Sequence, residues 1–127
     1  MPGLVLQPAA GEYALCRLHP QEPAPAWAGS SPFCSVTRTP EELSIICRTE
    51  VVPPDVRADR GWRLIQFVGP FELGAVGILA AVVAPLARAG ISCVAAGTFD
   101  TDYLLVKADR LDEARRVLAA CGHELAD

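Results

Sequence analysis

Residues 62–107 read WRLIQFVGPFELGAVGILAAVVAPLARAGISCVAAGTFDTDYLLVK, and the changes of hydrophobic period within them decide the fold. The aromatic and β-branched run 62–68 predicts a strand that Gly69-Pro70 ends. From Gly74 the period becomes helical. Val76, Leu79, Val83 and Leu86 recur at spacings of three and four, and Gly90 supplies the stop. Pro85 deletes one helical hydrogen bond, which predicts a kink or an early end there. Residues 91–99 then read as a buried strand, Asp100-Thr101-Asp102 as a turn and 103–107 as the returning strand.

Working outward, Asp109 is placed to cap a last helix with Leu111, Ala114, Leu118 and Cys121 on one face and Gly122 at its end. Residues 123–127 offer a short closing strand, so the second half reads β-α-β-β-α-β. The first half has strand patterns at 13–18, 33–39 and 43–47 but no long helical one. Pro53-Pro54 through Arg60-Gly61 reads as the linker, dividing the chain into units 1–61 and 62–127. An internal repeat connects them, because Thr39-Pro40-Glu41-Glu42 before Leu43 has the layout of Thr98-Phe99-Asp100-Thr101 before Asp102. Tyr13 precedes Thr39 by 26 residues and Trp62 precedes Thr98 by 36, so the first unit lacks the length of a long helix.

The 127 residues are 51% hydrophobic and 20% charged, the balance of a folded domain with a real core. A net charge of −4 and few aromatics argue against nucleic acid as a partner. The longest apolar stretch, 75–87, holds Gly77 and Pro85 and falls short of the roughly 20 residues a bilayer needs. Residues 1–11 lack the pattern of a secretory signal. A cytoplasmic protein with no membrane partner is the expectation. Five cysteines without a C-x-x-C pair read as reduced core residues, and nothing calls for a metal or cofactor.

The segments YALCRL, PAWA, FCSVTRTPEELSIIC, GWRLIQFVGPFELGAVGILAAVVAPLARAGIS and GTFDTDYLLVKADRLDEA together resemble the ACT-domain superfamily. The similarity is to the branch containing bacterial tandem-ACT proteins and the cytosolic arginine sensors for TORC1, and it spans nearly everything after Gly11. It implies an α/β fold, a ferredoxin-like α+β sandwich. Two tandem βαββαβ units are expected, the first degenerate, with antiparallel sheets packed side by side. It also implies regulation rather than catalysis, with an amino acid held between units. The residues it points to are Ser35 and Val36 on one side, Thr98, Phe99 and Asp102 on the other, and the loop 69–77, including Phe71, Glu72 and Gly74. Those sensors have four ACT units and this chain has two, so a homodimer is expected. Gly97 stands where many relatives have serine.

A free amino acid asks for donors to its carboxylate and an acceptor for its ammonium. The loop entering the helix supplies backbone N–H groups and the positive end of the dipole. Asp102, Asp100 and Glu72 supply negative charge, which ranks arginine or lysine ahead of neutral amino acids. Plainer readings stand beside these: DTD as turn chemistry, Glu72 as a dipole partner, and Ser35 as a local backbone cap. Trp27 and Trp62 read as packing residues. Gly69, Gly74 and Gly77 form no nucleotide motif. An enzyme is disfavoured, since His19 and His123 are the only imidazoles, and Cys16 and His19, three apart on a strand, point to opposite faces. The alternative function is a ligand-free interaction module that regulates a partner enzyme.

Overall fold

In the computed structural model, which describes residues 3–127, the chain begins with β1 (Val5–Pro8), β2 (Tyr13–Leu18) and a 3-10 turn, Ala26–Ser30. β3 (Ser35–Arg38), β4 (Leu43–Arg48), a 3-10 turn at Thr49–Val51 and β5 (Ala58–Phe67) follow. The remainder is α1 (Ile78–Arg88), β6 (Cys93–Gly97), β7 (Asp102–Lys107), a 3-10 turn at Ala108–Arg110, α2 (Leu111–Ala120) and β8 (Glu124–Leu125). The result is a mixed α/β, ferredoxin-type fold of two units. One unit comprises Arg63–Asp127 with the described residues up to Ala10, and the other is Gly11–Trp62.

In the Arg63–Asp127 unit the strands lie in the order β6-β7-β5-β1-β8. Alternation along β5 turns Ile65 and Phe67 to one face, where they meet Val82 and Leu86 of α1 and Leu111, Ala114 and Leu118 of α2 in a single core. Leu6 of β1, fully buried, completes that core. β1 has no counterpart among the sequence-stretch readings above, being four residues long and ending in a proline. It nevertheless pairs antiparallel with β5, Leu6 opposite Phe67, and parallel with β8, Leu6 opposite Leu125. The proposed division at residue 61 thus stands beside one in which the N-terminal strand joins the C-terminal unit.

Three local expectations are corrected. The helix begins at Ile78 and not near Gly74, because Gly77 adopts φ +87 and a left-handed residue ends the helical path; Val76 is 89% exposed in the loop, not on the apolar face. Of the kink or early end expected at Pro85, the early end is not seen: the helix runs three residues past it, and the proline is buried. Asp109 lies within a 3-10 turn and does not cap α2; Asp112 and Glu113 in the first turn complement the dipole instead.

The Gly11–Trp62 unit keeps the order strand, turn, strand, strand, turn, strand, with a short 3-10 turn where each helix of the other unit stands. Its sheet runs β3-β4-β2-β5, and its core is Ala14, Cys16, Ala28, Leu43, Ile45, Cys47 and Val52, with Trp27 packed against it. The two hairpins share one turn. The Thr39 amide donates to the Glu42 carbonyl at 2.9 Å, as the Thr98 amide does to the Thr101 carbonyl at 2.8 Å. In both, the threonine hydroxyl accepts from the amide three residues on. The residues read as linker up to Gly61 are strand from Ala58. Tyr13 pairs with Trp62 but Leu15 with Asp59, so one extra residue is taken up at Arg60-Gly61, a bulge that Gly61 permits at φ +85. All five cysteines are free, and Cys34 and Cys121 are exposed rather than in a core.

Candidate functional site

The loop between β5 and α1 and the turn between β6 and β7 border an open depression of about 220 Å³. Two hydrogen bonds hold them together. The Phe71 amide donates to the Asp100 carbonyl at 2.7 Å, and the Thr101 hydroxyl donates to the Phe67 carbonyl at 2.6 Å, fixing the turn to the end of β5. The Ala75 amide closes the loop on the Glu72 carbonyl at 2.9 Å. The first turn of α1 forms the far wall, with Gly77, Ile78, Leu79 and Ala80 lining it. Gly77 offers no side-chain cap, so the opening amides of α1, at this wall, lack both a cap and an intrahelical acceptor.

Three carboxylates, Glu72, Asp100 and Asp102, line the depression, and none makes a hydrogen bond or ion pair with a described residue. The plainer reading of DTD needs those carboxylates to close the turn. Here the two threonines do that work: the Thr98 hydroxyl donates to the Thr101 carbonyl at 3.0 Å and accepts from its amide at 3.2 Å. Asp102 is half-buried at the start of β7, opposite Gly97. A β-carbon on Gly97 would lie 3.4 Å from Asp102 Oδ1, so the glycine leaves that carboxylate open. Glu72 and Asp100 are exposed and Asp102 is half-buried, so what three charges of one sign contribute here is mutual repulsion. A cation placed here relieves it.

Phe71, Glu72, Thr98, Phe99 and Asp102 are brought together around the depression, and Gly74 lies in the same loop between the lining residues Leu73 and Ala75. Ser35 and Val36 belong to the other unit. They occupy neighbouring positions of β3, paired with Ile46 and Ile45. Asp100, read from sequence as a turn residue, is part of the wall. The signal that would have found it is the pair of threonines, which relieves the aspartates of turn duty. Beside the opening, Leu73 is 71% and Phe99 79% exposed. Among the described residues no three His, Cys, Asp or Glu side chains are grouped to hold a metal ion. No helix is long and apolar enough to cross a membrane, also among the described residues.

A family model described as an ACT domain matches residues 57–120, and a model of an N-terminal domain matches 11–55. No curated protein matches the chain. A crystal structure of an Agrobacterium tumefaciens protein is similar over 99% of this chain and 94% of that one, with 41% identity and a TM-score of 0.94. A Vibrio cholerae protein of unknown function, described as a possible transport protein, covers 94% and 91% at 23% identity and TM-score 0.76. The ligand-free regulatory subunit of aspartate kinase from Thermus thermophilus covers 87% and 93% at 12% identity and TM-score 0.61, a likeness of fold.

Proposed function

The chain belongs to the ACT-domain family, and from that premise we propose that it is a non-enzymatic regulatory protein that binds a free amino acid in the depression between the Phe71–Gly77 loop and the Thr98–Asp102 turn. The observation that carries this reading is the set of three unpartnered carboxylates that line one depression together with the first turn of α1. The amides and the helix dipole suit the ligand's carboxylate. Glu72, Asp100 and Asp102 suit an ammonium or guanidinium, with arginine and lysine favoured because each carries a second positive charge. Asp102, half-buried, takes the cation, and Phe99 and Leu73 give the ligand's methylenes an apolar collar.

That collar also supports a homodimer, since exposed Leu73, Val76 and Phe99 beside one opening are covered when a second copy closes over it. Ser35 and Val36, which the resemblance named, belong to the Gly11–Trp62 unit and are not among the residues that line this depression. A cytoplasmic location suits a sensor of free amino acids. A thermal-shift screen of the common amino acids tests the function: a ligand at about 100 times its dissociation constant adds roughly 2.7 kcal/mol of stability. Arginine or lysine gives the largest shift. Absence of a shift with every amino acid overturns the sensor reading in favour of an interaction module.

A further inference from the structure

The Gly11–Trp62 unit carries a separate concavity of about 530 Å³ along the β2–β5 ladder, lined by Leu15, Arg17, Arg57, Ala58, Asp59 and Arg60. Three guanidiniums against one carboxylate leave a local charge of 3 − 1 = +2, on a chain whose net charge is −4. The register crowds that charge. Leu15 pairs with Asp59, and the Arg17 amide donates to the Arg57 carbonyl at 2.9 Å, which sets Arg17 of β2 across from Arg57, the residue just before β5. Like charges in that relation destabilise a ladder.

Little within the unit offsets Arg17 and Arg57. Arg57 makes no hydrogen bond or ion pair through its guanidinium among the described residues. Arg17 spends one of its five donors on the Glu41 carbonyl, at 2.9 Å. Asp59 Oδ1 already accepts the Trp62 indole N–H at 2.9 Å. The bulge at Gly61 follows Arg60 directly, and bulges re-aim neighbouring side chains beside sites. The row through Arg17 continues to Ser44 on β4 and Thr37 on β3, adding hydroxyl donors on the same face.

From this arrangement we propose that the concavity is an oxyanion site that binds a phosphate or pyrophosphate group, borne as the free anion or on a small ester. Planar guanidinium forks bind such groups through paired N–H donors, and a multiply charged anion matches a site of charge +2. It is independent of the carboxylate-lined depression, which takes the opposite charge.

The test is calorimetric titration of the whole chain with pyrophosphate and, separately, with a nucleoside diphosphate, at an ionic strength held constant with potassium chloride. Saturable binding is expected, weakened about ten- to hundredfold in R57Q and R17Q and tightened in D59N, which keeps an oxygen for Trp62. Equal affinity for the two probes supports the free anion as ligand, and tighter binding of the nucleotide supports an ester. Should R57Q fail to fold, R17Q and D59N still decide the matter. Heat that does not saturate, or affinities unchanged across the folded variants, overturns the proposal, as does equal thermal stabilisation by potassium chloride alone.

Discussion

Replacing Thr101 by valine keeps the side chain's shape and removes the one hydroxyl that fastens the β6–β7 turn to the end of β5, the 2.6 Å bond to the Phe67 carbonyl. A neutral hydrogen bond of this kind contributes about 0.5–1.5 kcal/mol net, and a carbonyl left short of its donor in a part-buried place adds a share of the roughly 1–3 kcal/mol desolvation cost. A loss near 2 kcal/mol is therefore expected. For a chain of this length that corresponds to a fall in melting temperature of about 6–10 °C. Urea unfolding measures it as a lower midpoint with an unchanged slope. Thr101→Ser, which restores the donor, should recover most of the loss. If Thr101→Val costs less than about 0.5 kcal/mol, the bond does not hold the turn in solution, and the placement of Asp100 and Asp102 must rest on something else.

Leu86, fully buried between the sheet and α2, should cost about 2–5 kcal/mol when cut to alanine; a urea midpoint that barely moves contradicts the assigned core. Alkylation in the native state should reach Cys121 well before Cys16 or Cys47, whose thiols are buried together; the hydrogen bond from Cys47 to Cys16 and burial push the Cys47 thiol far up and hold it protonated. Mass spectrometry of labelled peptides checks this, and Cys47 labelling at the rate of Cys121 refutes it. Gly61→Ala should destabilise by roughly 1–2 kcal/mol, because open space around the residue does not relieve the left-handed backbone at the bulge; an unchanged melting curve argues against the bulge.

What was legible in the sequence follows from what periodicity reports. Strands β2 and β4 are largely buried apolar runs and the helix through Val82 and Leu86 buries one face, so a short apolar run and the three-to-four spacing located them. The helix start was misplaced because Val76 fits the apolar stripe by spacing while Gly77, through its backbone conformation alone, breaks the path. β1 escaped because four residues carry too little pattern and its partners, β5 and β8, are more than fifty residues away along the chain. Asp109 looked like a cap because caps are read from residue type, whereas a 3-10 turn over Ala108–Arg110 puts Arg110, not Asp109, at the position before α2. At the site, the loop and the turn were legible as chemistry. That Asp100 and Asp102 are both unpaired was not, since it depends on Thr98 and Thr101 taking the turn's hydrogen bonds.

The claim that the carboxylate-lined depression is an amino-acid site is tested most directly by titrating arginine and lysine, in a calorimeter, into the native protein and into Asp102→Ala. Saturable binding to the native chain is expected. It should weaken about ten- to hundredfold in the variant, the worth of a hydrogen bond to a charged group, while the melting temperature of the ligand-free variant stays close to that of the native protein. A folded Asp102→Ala protein that binds as tightly as the native one contradicts the account.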